Sequence, residues 1–384
     1  ATAAPEPGPA REPASAQDAA SVAGLLTDLQ QLYRKAEEAT EAYNATEEKL
    51  KEQRTETDRL DRALARTRLS LHDSRGAAGR LARQQYQSST DISPYVRLLL
   101  ARDPQHAIDQ GHVIGRLARE RAETVGRLTG SERTARELAR KAREALDQQL
   151  ALIERRKKER DEVRERLDDV EELLASLSRD QLTALATFEK NGIEEAQKKF
   201  MASGALGSSG AGGSSVRRPS AEGGRAVRYA VRQLGKPYEW GAEGPESYDC
   251  SGLTSQAWAE AGTPVPRTSQ EQWKRLKRVP LTELRPGDLV VYFPKATHVA
   301  LYLGDGMVVQ APRPGAKVKV SPIAANPVLG AVRPDPDGEP LRRYEPPEIP
   351  EGATDGSDEG YDGYEKKFAD EADYAAPAPD TSTR

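Results

Sequence analysis

The stretch YDCSGLTSQAWAEAG, Tyr248 to Gly262, holds the only cysteine in 384 residues. Asp249 is a good N-cap, Leu253, Ala257 and Ala261 recur at helical spacing, and Gly262 supplies a stop. Cys250 therefore falls in the first turn of a short helix, where free backbone N–H groups and the helix dipole favour a negative sulfur. A thiol attacks only as thiolate, so its ordinary pKa of about 8.5 has to come down before it is useful. A lone cysteine forms no intramolecular disulfide, which fits a cytosolic protein or a secreted one whose single thiol is working rather than structural.

Around this helix, residues 224–334 read as a compact α/β segment. AVRYAVRQLG (Ala226–Gly235) is an amphipathic helix, and GDLVVYF (Gly287–Phe293), HVALYLG (His298–Gly304) and GMVVQAP (Gly306–Pro312) are strands. Three of the four histidines, His72, His106 and His112, lie in a helical N-terminal region, and only His298 shares this segment with Cys250. A cysteine at a helix N-terminus and a histidine heading a strand are the minimum for a Cys–His nucleophile pair. The segment offers one histidine and no second cysteine for a metal, so neither a metal nor another cofactor is expected. Reading Gly304-Asp305-Gly306 as a three-residue loop pairs Leu303 with Met307 and Ala300 with Gln310, and places Gln310 on the face of His298. A two-residue loop would turn Gln310 to the other face.

KPYEWG, YDCSGL, VPRTSQEQ, LRPGDLVVYF and HVALYLGDGMVVQAP follow one another in that order, and together they resemble the NlpC/P60 family of papain-like cell-wall peptidases. The resemblance spans most of residues 224–334. It implies an α+β papain-like domain in which Cys250 is the nucleophile and His298 the base. The third polar group in this family is commonly His, sometimes Asn, Gln or Glu, at the position matching Gln310. Tyr238 resembles the family's tyrosine beside the nucleophile, an oxyanion donor or else a core residue. Asp249 and Ser251 match positions that contact substrate, although Asp249 also serves as an N-cap. Arg267 and Ser269 resemble a groove-lining segment, with a structural role as the alternative.

The resemblance further implies a cysteine endopeptidase acting on peptidoglycan stem peptides, between D-γ-glutamate and a diamino acid. An amidase or acyltransferase using the same site is one alternative, and a non-catalytic scaffold or activator is another.

Upstream, residues 21–200 carry heptads. Val22, Leu25, Leu29, Leu32, Ala36, Ala39, Tyr43, Thr46, Leu50, Gln53, Thr57, Leu60, Leu64, Thr67 and Leu71 form a narrow, mostly apolar seam between charged residues. A second long helix is expected from about Val113 to Phe188, with a stutter near LIERRKKERDEV. The simplest arrangement is an antiparallel coiled-coil α-hairpin with a short helical tip at about 74–111. This region resembles those of division-associated hydrolases, so an FtsEX-like membrane complex at the tip and intramolecular restraint of the peptidase are expected partners. The sequon at Asn44 (YNATEE) is discounted because it lies mid-helix.

Residues 201–223 read as a Gly/Ser linker, and residues 335–384 as a Pro-rich, acidic, disordered tail. Residues 1–20 resemble a mature N-terminus after signal-peptide removal, which points to a secreted, cell-wall-associated protein. A net charge of −4 gives no electrostatic reason to expect nucleic-acid binding, and no apolar run is long enough to span a membrane.

Overall fold

The computed structural model describes residues 16–88, 94–100, 103–207 and 217–353. The expectations for the first fifteen residues, for residues 208–216 of the Gly/Ser linker and for the acidic end of the tail lie outside these residues. The chain falls into two compact units: residues 46–155, and residues up to 45 together with those from 156 onward.

In residues 46–155, helix α1 (Ala16–Ser88) and helix α3 (Pro104–Ala175) pair antiparallel. Leu60 and Leu64 pack on Ala142 and Ala145, Gln53 donates to the Ala145 carbonyl at 3.0 Å, and Arg75 meets Glu132 at 3.2 Å. The tip is shorter than the expected 74–111. Gly76 and Gly79 stay inside α1, because an isolated glycine costs a helix only about 1 kcal/mol. Helix α2 (Pro94–Leu99) follows, and α3 starts at Pro104, with Asp103 Oδ1 accepting from the His106 N–H at 2.8 Å. Proline, tolerated in a first turn and damaging in an interior, sets these boundaries.

In the larger unit, Leu29 and Tyr33 of α1 pack on Val170 and Leu174, and Ala36 and Ala39 on Val163 and Leu167. The expected second helix to Phe188 is instead two helices. α3 runs unbroken through the expected stutter and stops at Ala175, and α4 (Arg179–Ala202) restarts after Ser176–Ser178. Ser178 and Gln181 form a reciprocal capping box there, and Ser-x-x-Gln is its sequence signature. α4 then reaches the sheet: Gln197 donates to the Gly306 carbonyl at 3.1 Å and accepts from the Ala324 N–H at 3.1 Å.

The sheet has six antiparallel strands in the order β1-β6-β2-β3-β4-β5. These are β1 (Lys277–Val279), β2 (Leu289–Tyr292), β3 (His298–Gly304), β4 (Met307–Gln310), β5 (Lys319–Pro322) and β6 (Val328–Arg333). One face packs on α5 (Ala221–Arg232) and α6 (Cys250–Glu260), through Leu289, Val291, Val299 and Leu301 against Val227, Leu253, Ala257 and Trp258. The other face, with Val290, Tyr292, Ala300 and Tyr302, receives Phe200 of α4 and Leu206. Strands buried on both faces lose the polar alternation of a half-exposed sheet, which explains the unbroken apolar run in HVALYLG. A further short helix, α7 (Ser269–Arg275), is capped by Thr268.

The expected tail contributes to this domain as far as residue 353. Arg285 pairs with Asp335 at 3.1 Å, Leu341 N–H donates to the Pro219 carbonyl at 2.8 Å, and Val320 N–H donates to the Ala353 carbonyl at 3.0 Å. A Pro-rich segment loses little conformational entropy on ordering because its φ angles are already fixed, so composition alone did not decide its state.

Trp258 is fully buried at the centre of the helical face, and its Nε1 donates to the Gly287 carbonyl at 3.1 Å. Trp258→Ala should destabilise the domain by about 3–5 kcal/mol, and Trp258→Phe, which keeps most of the packing, by clearly less. Denaturant titration of the full chain, followed by the domain's near-UV signal, measures both.

Candidate active site

Cys250 is the first residue of α6, and Asp249 is its N-cap, accepting from the Gly252 N–H at 2.6 Å. A side chain on Gly252 would run into the Ala242 carbonyl, so the turn that presents the thiol requires a residue without Cβ. The backbone N–H of Val299, at the start of β3, favours a negative charge on the Cys250 sulfur.

His298 heads β3 and is fully buried, with Nε2 2.7 Å from Gln310 Oε1. Since an amide oxygen only accepts, Nε2 carries the proton and Nδ1 is left as the basic nitrogen. The expected face-sharing of His298 and Gln310 is present, but its expected cause is not. Leu301 pairs with Val309 and Tyr302 with Val308, and then Gly304 pairs with Met307. The turn is the two-residue Asp305-Gly306, and the extra residue Leu303 forms a bulge that restores the parity a two-residue turn would have broken.

The other expected site residues gather at the same place. Arg267 is bidentate on Asp249, at 3.0 and 2.6 Å, and reaches Ser251 Oγ at 2.8 Å. Burial opposes the charge on Arg267, but Asp249, Glu41 and Glu243 hold the guanidinium charged more firmly than usual. Asp249 also accepts from the Gly241 N–H at 3.0 Å. Ser269 commits its hydroxyl to the Ala296 carbonyl at 2.7 Å, so its contribution to the groove is its backbone N–H. Tyr238 is buried, and burial together with the charges of Cys250 and Asp249 pushes its hydroxyl well above the ordinary tyrosine range.

Sequence reasoning missed the residues that cover these groups. Along positions 36–44, α1 buries two faces at once: Ala36 and Ala39 toward α3, and Glu37, Thr40, Glu41 and Asn44 toward the site. Glu41 Oε1 accepts from Ser251 Oγ at 2.7 Å and lies 3.9 Å from Cys250 Sγ, and its Oε2 accepts from the Ser269 N–H at 2.8 Å. Glu37 Oε1 lies 3.4 Å from His298 Nδ1. Asn44 Nδ2 donates to Asp249 Oδ2 at 3.0 Å, which buries the sequon asparagine. Tyr43 meets Trp240 edge-on, with ring centroids 5.2 Å apart, and Glu38 pairs with Lys295 at 2.8 Å on the rim. Glu-x-x-x-Glu-x-x-Asn on a charged helix reads as an ordinary solvated stripe, so no local signal marked it.

This cover reverses the expected electrostatics of the thiol. Burial, then Glu41, Asp249 and Glu37, push Cys250 well above its ordinary range, and the Val299 N–H only partly opposes them. Burial works against a charged His298, but Glu37 first, with Gln310 and Glu41 adding, outweighs it and raises the imidazole. Burial and then Asp249 push Glu41 up to about 7, against the contributions of Ser251, Arg267 and Ser269.

Residues 235–330 match the model of the NlpC/P60 family. A probable endopeptidase of Corynebacterium glutamicum is 46% identical over 94 residues, which is 24% of this chain and 45% of the relative. The peptidoglycan endopeptidase RipA of Mycobacterium tuberculosis is 35% identical over 131 residues, 29% of this chain and 28% of RipA. The chain thus spans less than half the length of these curated relatives. Among solved structures, the peptidoglycan hydrolase RipB of Mycobacterium tuberculosis is 30% identical, with 42% of this chain and 87% of that one covered, at a TM-score of 0.27. Residues 235–330 are an NlpC/P60 domain, and it is through that domain that the chain belongs to the NlpC/P60 family.

Proposed function

We propose that the chain is a secreted cysteine endopeptidase that cleaves peptidoglycan stem peptides between D-γ-glutamate and a diamino acid, and that α1 restrains it. The observation that carries the catalytic part is the pairing of His298 Nε2 with Gln310 Oε1 at 2.7 Å, on the strand whose Val299 N–H serves the Cys250 sulfur. The names of the relatives, endopeptidases of peptidoglycan, support the substrate class.

In this reading the Cys250 proton passes to His298 Nδ1 and the sulfur attacks the γ-carbonyl carbon of the glutamyl residue. The tetrahedral oxyanion takes a hydrogen bond from the Tyr238 hydroxyl. As the C–N bond breaks, His298 returns the proton to the departing amine, which leaves a thioester. Water, deprotonated by His298, then releases the carboxylate and restores the thiol. Gln310 keeps the ring in the tautomer that has Nδ1 free throughout. The Ser251 hydroxyl and the Ser269 N–H, now occupied by the Glu41 carboxylate, are donors suited to a substrate carboxylate, and the Arg267 charge favours an anion there.

Restraint is supported by the burial of both Cys250 and His298 beneath Glu37, Glu41 and Asn44. The partner proposed to relieve it is a membrane division complex of FtsEX type, for which Val96 and Leu99 of α2, with Leu100 just beyond, offer exposed apolar side chains.

Three outcomes test the reading on purified sacculi with the full chain. Cys250→Ala and His298→Ala should each lose at least about a thousandfold in turnover, since the members of such a unit fail together, and Cys250→Ala should keep its melting temperature. Gln310→Ala should retain measurable turnover, because it orients the ring without exchanging a proton. The double variant Tyr43→Ala/Asn44→Ala removes a ring contact and a buried hydrogen bond to a carboxylate without touching the reacting atoms. It should be at least about tenfold more active than the wild-type chain. Mass analysis of the muropeptides identifies the bond cut. Full activity of Cys250→Ala would end the cysteine-peptidase reading, and an unchanged rate for the double variant would end the restraint.

A further inference from the structure

The charge inventory of the covered site is unbalanced. α1 brings Glu37 and Glu41, one helical turn apart, both nearly excluded from solvent. The cap of α6 adds Asp249, fully buried, and the loop before α6 adds Glu243, whose carboxylate lies 3.2 Å from Arg267 Nε. Facing these are one permanent cation, Arg267, from the segment before α7, and one ionisable ring, His298, from β3. The remaining titratable groups here are the Cys250 thiol of α6 and the hydroxyls of Tyr238 and of Tyr292, whose ring lies 5.7 Å from that of His298, and each would add negative charge on ionising. α3, packed on the other side of α1, contributes the buried Glu159 one turn before Val163 and no buried cation. Lys295 is committed to Glu38 on the exposed rim.

Three buried carboxylates around one arginine, with the half-exposed Glu243 at the edge, can be held at low cost only if protons are taken up. The positions of the groups indicate where they go. Glu41 is buried beside Asp249, which outweighs the Ser251 hydroxyl and Ser269 N–H that favour its carboxylate, and His298 Nδ1 lies 3.4 Å from Glu37. We propose that α1 is a proton-linked latch: it docks over Cys250 with net uptake of protons at Glu41 and His298, so that raising the pH through neutrality frees the thiol. This rests on the restraint proposed above and adds to it the chemical variable that sets it.

The direction follows from both groups. Docking moves Glu41 from an ordinary 4.5 to about 7, so the docked state holds a proton that the undocked state releases. The docked state is therefore favoured at low pH, and it weakens progressively from above the ordinary carboxylate value until the pH passes the docked one. His298 is also raised in the docked state, so its contribution is present below the ordinary imidazole range and is lost as pH climbs through the docked value. The two effects share a sign. From Glu41 alone the docking constant should fall about tenfold between pH 6 and pH 8.

The test uses the full chain and its single cysteine as reporter. Rates of Cys250 alkylation by iodoacetamide are measured from pH 6 to pH 8 for the wild type, Glu41→Gln and Tyr43→Ala/Asn44→Ala. Glutamine keeps the shape of Glu41 and cannot titrate, while the double variant reports the uncovered thiol. Dividing one rate by another at each pH cancels the thiol's own ionisation. The wild-type rate divided by that of Glu41→Gln should rise about tenfold over the range. The wild-type rate should also climb toward that of the double variant, a comparison that stands even if Glu41→Gln folds poorly. Flat ratios with a fast double variant would overturn the proton linkage and leave restraint standing. A double variant that alkylates no faster than the wild type at any pH would overturn both.

Discussion

The carboxylate of Asp249 is the constraint on which the rest of the site depends. It caps α6 through the Gly252 N–H, fixes the loop before it through the Gly241 N–H, and takes both guanidinium nitrogens of Arg267. These four contacts already match the roughly four lone-pair sites of a carboxylate, and Asn44 from α1 adds a fifth donor. Because the group is fully buried, loss of either charged partner would strand the other, which typically costs about 3–5 kcal/mol. One side chain thus sets the helix that presents the thiol, the loop that carries Tyr238 and the arginine that orders Ser251. It is also a point at which α1 grips the domain.

That dual use explains why the thiol and the helix beneath it pull in opposite directions. The first turn of α6 and the Val299 N–H both favour thiolate, and they belong to the domain itself. Of the opposing influences, burial, Glu41 and Glu37 come with α1, and Asp249 belongs to the domain. The raised thiol is therefore in large part a property of the covered site, since Asp249 alone of the opposing charges stays with the domain. The imidazole makes the same point from the other side. Glu37 stands off Nδ1, the nitrogen that the proposed chemistry needs for the thiol proton, and holds that ring toward its charged form.

What could be read in the sequence divides along local and non-local lines. Cys250, its cap Asp249 and its helix were legible because capping and periodicity act within one turn. His298 emerged by elimination, and Gln310 by strand parity, although the bulge at Leu303 means that two departures from the assumed loop cancelled. Ser178 and Gln181 carried a capping signature that apolar spacing masked, since Leu174, Leu177, Leu182 and Leu185 continue across the break. The Pro-rich segment after Pro334 failed on composition, because its order comes from partners such as Arg285 and Val320 that are distant in sequence. Glu37, Glu41 and Asn44 were illegible for a deeper reason. A polar helical stripe becomes buried only when another surface supplies donors for it, and helical spacing says nothing of that surface.

The two faces of α1 are not independent. Ala36 and Ala39, small enough for close approach, seat the helix against Val163 and Leu167, and the next positions around the helix, Glu37, Thr40, Glu41 and Asn44, meet the domain. A helix clamped along one side cannot release a single carboxylate by local unwinding without breaking its own hydrogen bonds. Glu38–Lys295, Glu41–Ser269, Tyr43–Trp240 and Asn44–Asp249 are therefore made or lost as a set when this length of α1 moves. Individually these contacts are modest, and the rim pair contributes little. Held on one rigid element they act together, and a partner that displaces the helix need not compete for any one of them.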